Sequence, residues 1–154
     1  MYAGEIYEQL ISIMDEFRLP YHYINLEITE STAAMSKDVL KYNMEELIKR
    51  GINFALDDYG TGFSNMMRIV DYPFHAVKLD KSLLWSASDK PKAKHALEYS
   101  IQMIKAMELD VICEGVETFA QADMLEKMGC DYFQGYYFSR PVPGEAFDAL
   151  LENN

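Results

Sequence analysis

Apolar residues recur at helical spacing through Ile6, Leu10, Ile13, Met14 and Phe17, and the Pro20 that follows is a helix stop. Tyr23 to Ile28 reads as a strand, and Ser36 to Arg50 as a helix ended by Gly51. The pattern then predicts a strand at Ile52 to Leu56, a short helix at Asn65 to Val70 stopped before Pro73, and a strand at His75 to Leu79. A long helix over Lys92 to Met107 follows, then a strand at Asp110 to Cys113 and a helix at Phe119 to Met128 ended by Gly129. A strand at Tyr132 to Phe138 and a helix at Gly144 to Leu151 complete the series. Five strands alternating with helices imply parallel pairing with right-handed crossovers, so the class is α/β. An open doubly wound sheet and a barrel of strand-helix units both fit. Ile52 to Leu56 is apolar on both faces, as expected where helices cover one side and a packed interior fills the other.

Composition narrows the partners. The 154 residues are one domain's worth of chain and 49% of them are apolar, enough for a substantial core. A formal charge of −11, with the bases scattered, argues against nucleic acid and against anionic lipid as partners. No apolar run is as long as a membrane span, and the first basic residue, Arg18, comes too late to open a signal peptide, so a cytoplasmic location is expected. Cys113 and Cys130 sit in apolar surroundings without a CxxC pair and read as buried reduced thiols. His22, His75 and His95 lack zinc-site spacing.

The chemistry collects at the ends of the strands. The first ends in Glu27-Ile28-Thr29-Glu30, the second in Asp57-Asp58, the third in Lys78-Leu79-Asp80, the fourth in Glu114-Gly115-Val116-Glu117, and the fifth carries Gln134-Gly135. In parallel α/β folds these ends share one face, where active sites form. Each group has a plainer reading. Ser31 and Thr32 read best as helix caps, Asp58 with Gly60 and Gly62 as a turn, Lys78 as a snorkelling side chain, and Glu117 as a first-turn acid. Five successive strand ends carrying such groups for unrelated reasons is the weaker account. Clustered carboxylates without histidine or thiolate suit magnesium or manganese. Two such ions held by an adjacent Asp pair would activate water and stabilise a leaving oxygen in phosphoester hydrolysis, while spacing alone leaves open a one-metal, enolase-like barrel with Lys78 as base.

Leu26-Glu27-Ile28-Thr29-Glu30-Ser31, Asp57 to Ser64, Val77-Lys78-Leu79-Asp80, Cys113 to Thr118 and Gln134 to Pro141 together resemble the EAL domain, the bacterial cyclic-di-GMP phosphodiesterase family. The resemblance implies a modified (β/α)8 barrel and opening of cyclic di-GMP to linear pGpG with magnesium or manganese. By motif, Glu27 and Asp57 correspond to ligands of a first metal, with Asp57 bridging to a second that Asp58 completes. Lys78 corresponds to the residue holding the attacking water, and Glu114 to a general base or an orienter of water. Gln134, Glu117 and Pro141 match substrate-site or supporting residues. Tyr59, Gly60, Thr61, Gly62, Phe63 and Ser64 match a loop that shapes the site and takes part in dimerisation, and Glu30 the acid that anchors it.

A closed barrel of this type takes roughly 250 residues, whereas five strands are predicted here. The Glu-Ala-Leu signature and the Asn of the following strand have no counterpart, and Asn25 lies one strand too late to replace that Asn. The resemblance therefore implies the C-terminal part of a single EAL domain over residues 1–154, with weak metal binding and little hydrolysis by the chain alone, and the open sheet implies a homodimer or swapped oligomer. The alternative is a catalytically silent module that binds cyclic di-GMP or a protein partner.

Overall fold

The computed structural model describes residues 3–32, 37–61 and 66–152. Helix α1 (Ala3–Phe17) leads through a 3-10 turn at Tyr21–Tyr23 into β1 (Asn25–Thr29), followed by α2 (Lys37–Ile48), β2 (Asn53–Tyr59), α3 (Met67–Asp71) and β3 (Ala76–Leu79). The chain continues through α4 (Lys81–Asp89), α5 (Pro91–Ala106), β4 (Asp110–Glu114), α6 (Phe119–Met128), β5 (Tyr132–Gln134) and α7 (Gly144–Glu152). The five strands form one all-parallel sheet in the order β1-β2-β3-β4-β5. That order never reverses, so the crevice of a doubly wound sheet, which opens where strand order switches, has no place here. Successive right-handed crossovers put the helices on one side, and the architecture is of the barrel type.

The two faces of the sheet differ. Phe54, Leu56, Val77, Leu79, Val111 and Cys113 alternate along the helix-covered face and join Leu84, Leu97, Ile101, Ile104 and Leu125 in a buried core. Strand alternation places Glu27, Ala55, Asp57, Lys78, Ile112, Glu114 and Gln134 on the other face. That face mixes charged and polar groups with Ala55 and Ile112, so its polar groups gather toward the strand ends. On α1 the buried stripe is Tyr7, Leu10, Ile11 and Met14, while Ile13 and Phe17 stay exposed because the helix covers only the edge of the sheet.

Local signals explain most boundaries. Thr118 caps α6 in a reciprocal box with Gln121, and Pro91 opens α5 with the fixed φ a first helical position needs. Helix α4 was not anticipated; it starts because the Asp80 carboxylate accepts a hydrogen bond from the Ser82 N–H at 2.9 Å. Strand β5 stops at Gln134, four residues short of expectation. At Gly135 the chain crosses so close to the neighbouring loop that a Cβ would lie 2.1 Å from the Val116 carbonyl oxygen, and Phe138 N–H then bonds back to the Gly135 carbonyl to close a turn. Cys113 and Cys130 are buried free thiols, and burial raises both, Cys130 to about 11.

Candidate active site

Lys78 is the centre of the site. Its position on the middle strand leaves the side chain 7% exposed, and its Nζ lies 2.8 Å from Glu114 Oε1, 2.9 Å from Glu27 Oε1 and 3.2 Å from Asp57 Oδ1. These carboxylates come from β4, β1 and β2, so one ammonium ties four strands together at their C-terminal ends. Burial alone would push the lysine toward its neutral form, but hydrogen bonds to Glu114 and Glu27 and the charges of Glu114 and Asp57 outweigh it and hold the ammonium well above its ordinary range. Lys78 stays charged at any physiological pH.

The two adjacent aspartates owe their placement to a bulge. Leu56 pairs with Val77 and Tyr59 with Leu79, so Asp57 and Asp58 together face the single residue Lys78. Asp58 takes up the extra length with a left-handed φ of 59°, a conformation Asp tolerates better than most residues, and its carbonyl accepts from the Thr61 N–H and hydroxyl. Among the described residues the Asp58 carboxylate forms no ion pair.

The loop after β2 is tied down from both sides. Glu30, buried just past β1, donates its N–H to the Asp57 carbonyl at 3.2 Å. The Arg68 guanidinium on α3 lies 3.3 Å from Glu30 Oε1 and also donates to the Glu30 carbonyl. Tyr59 packs beneath, its phenol raised by burial and by the charge of Glu30. Gly60 and Thr61 continue the turn, whereas Gly62, Phe63 and Ser64 lie outside the described residues.

Glu114 belongs to two environments. Besides touching Lys78 it lines a cleft of 270 Å³ shared with Glu117, Gln134, Lys81, Trp85 and Tyr136. Pro141 lies in an adjoining hollow with Gln134, Tyr136 and Arg140, whose guanidinium sits 4.8 Å above the Tyr136 ring. Glu117 precedes the Thr118 cap and is not in the first turn of α6, and the Thr32 hydroxyl meets Thr29, in a local turn. A larger hollow of 480 Å³ lies between α1 and α2, away from the strand ends.

The donors suit a hard cation in kind. They are all oxygens, and Asp57 Oδ1 is fully buried with no hydrogen-bond donor, since its contact with Lys78 has the distance of an ion pair without the angle of a hydrogen bond. In number they fall short: among the described residues no three Asp, Glu, His or Cys side chains are arranged around one ion position.

An α/β barrel-type sheet with a lysine-carboxylate centre at its strand ends defines the class. The chain belongs to the EAL domain family, whose model matches residues 1–141. It is 36% identical over 138 residues to the signaling protein YkoW of Bacillus subtilis, covering 90% of this chain and 17% of that one. It is 30% identical over 140 residues to the cyclic di-GMP phosphodiesterase RocR of Pseudomonas aeruginosa, covering 91% and 36%. Among solved structures, the MucR phosphodiesterase of Pseudomonas aeruginosa, in complex with c-di-GMP, superimposes with a TM-score of 0.87 at 27% identity, over 95% of this chain and 59% of that one. The chain thus spans 17% and 36% of the length of these two curated relatives.

Arg68, Trp85 and Lys81 were missed by the sequence reading. Each makes its contact across 30 or more residues or through the unanticipated helix α4, and no local pattern announces such a pairing.

Proposed function

We propose that this chain is the C-terminal part of one EAL domain, residues 1–154, and that the domain acts in the cytoplasm to hydrolyse cyclic di-GMP to linear pGpG. The observation that carries the reading is the single buried Lys78 ammonium held by carboxylates from three other strand ends. Glu27, Asp57 and Asp58 would supply part of the ligand set for magnesium or manganese in the longer domain, which when bound supplies Lewis-acid polarisation of the phosphodiester. Lys78 donates to the attacking water and offsets phosphate charge. Glu114, within hydrogen-bond distance of Lys78, orients that water or accepts its proton. One phosphorus-oxygen bond forms to the water oxygen and one ester bond breaks, leaving a phosphate and a hydroxyl on the opened ring. Gln134 and Glu117 line the substrate's side of the cleft and Pro141 the adjoining hollow, and the loop from Tyr59 to Ser64, anchored by Glu30, contributes to a homodimer contact.

The test is product analysis with cyclic di-GMP and manganese. The chain alone gives little turnover, a longer domain carrying this sequence gives pGpG, and Glu114→Gln lowers that rate by on the order of a hundredfold or more. Absence of pGpG from the longer domain with both magnesium and manganese overturns the reading. The second reading is a module that binds cyclic di-GMP without cleaving it, and retained binding with no product in the longer domain would establish that instead.

A further inference from the structure

We propose that Trp85, the chain's one tryptophan, is a positioning residue that braces Glu114 from the side of α4; this rests on the reading above for its catalytic consequence. Strand β4 ends at Glu114, and the next residues belong to no helix or strand. Gly115 turns the backbone with a φ of 71°, and its carbonyl accepts the indole N–H of Trp85 at 3.0 Å. The approach of α4 is close: a Cβ on Gly115 would stand 2.3 Å from Lys81 Cβ. Lys81 in turn places its ammonium 5.2 Å from the centre of the Trp85 ring, which holds the indole by a cation–π contact. From the opposite side β5 secures the same turn, since Val116 N–H donates to the Gln134 carbonyl at 3.1 Å and Val116 O accepts from Tyr137 N–H.

The Gly115–Val116 peptide, one peptide unit beyond Glu114, is therefore clamped between α4 and β5. The β5 side is backbone hydrogen bonding that many sequences would make. The α4 side depends on one indole N–H. An indole left 42% exposed at the rim of a wet cleft has water as an alternative partner, so its bond to Gly115 adds little to folding. What it fixes is the plane of the Gly115–Val116 peptide, and through the φ of Gly115 the end of β4 that carries the carboxylate meeting Lys78 at 2.8 Å. Fine placement of a group that orients water is the kind of effect that appears in turnover before it appears in stability.

The test uses Trp85→Phe, which keeps an aromatic ring near Lys81 but removes the donor together with part of the bicycle, and a benzothienylalanine replacement, which keeps the bicyclic shape with sulfur for N–H. In the longer domain both are expected to lower kcat by on the order of three- to tenfold, the worth of one hydrogen bond, with KM within about twofold. An unchanged kcat, or a raised KM at constant kcat, overturns the brace. A second measurement needs no activity: in the isotopically labelled chain, Trp85→Phe moves the carboxyl carbon resonance of Glu114 and leaves that of Glu27 in place. If the Glu114 resonance stays put, the proposal fails even where hydrolysis is confirmed. If it moves in a domain that makes no pGpG, the brace stands and the hydrolytic reading falls.

Discussion

At the scale of single residues, Lys78 is where structure and chemistry are least separable. Lys78→Met leaves Glu27, Asp57 and Glu114 facing one another without a cation, and we expect a loss of about 2 kcal/mol at pH 7, tempered because Glu27 is half exposed. Urea titration of the variant against the parent chain at pH 7 checks this. The folded value of Lys78 is raised, so the stabilisation is complete below the unfolded value of about 10.4 and is lost only as pH climbs above it. Gly135 is a purely steric case. Gly135→Ala forces a methyl against the Val116 backbone, which cannot yield as a side chain would, and about 1–3 kcal/mol should disappear from the urea midpoint.

At the scale of elements, β5 shows how a three-residue strand is kept. Asp131, just before it, accepts from the Val111 N–H at 2.8 Å and pairs with Lys105 at 2.6 Å, so one carboxylate joins β4, α5 and β5. Burial works against its charge, but the lysine and the amide prevail and hold the group below the usual carboxylate value. Its stabilisation is present above about pH 3.9 and fades as pH falls through the depressed folded value. Asp131→Asn should lower stability at neutral pH and flatten its decline in acid, as pH-dependent denaturation will show. Such contacts mark the limit of what the sequence discloses. The strands around Leu56, Leu79 and Cys113 were legible because short apolar runs there are bounded by polar residues, and the polar strand ends because acids there stand out against those runs. Helix α4 was not, since nine residues pressed between a strand and Pro91 leave little room for a period to show. The early stop of β5 depends on Val116, far along the chain from Gly135 and silent in any local window.

At the scale of the molecule, large apolar side chains lie exposed at both flanks of the sheet as well as on the helices between them. Ile13 and Phe17 lie bare beside β1, and Tyr132, Phe138, Phe147 and Leu151 beside β5, next to strands that are each paired on one side only among the described residues. Exposed apolar surface next to an unpaired strand favours self-association. Light scattering at low micromolar concentration should find dimers or larger species, and Tyr132→Lys should shift the distribution toward monomer. A monomeric species with a cooperative melt would count against this.

The strictly sequential strand order has one more consequence. Because, among the described residues, each strand pairs only with its neighbours in chain order, the polypeptide does not have to thread between strands already in place. During synthesis, every new strand finds its berth on a finished neighbour, and a further strand-helix unit can be added at either flank without rerouting anything already laid down.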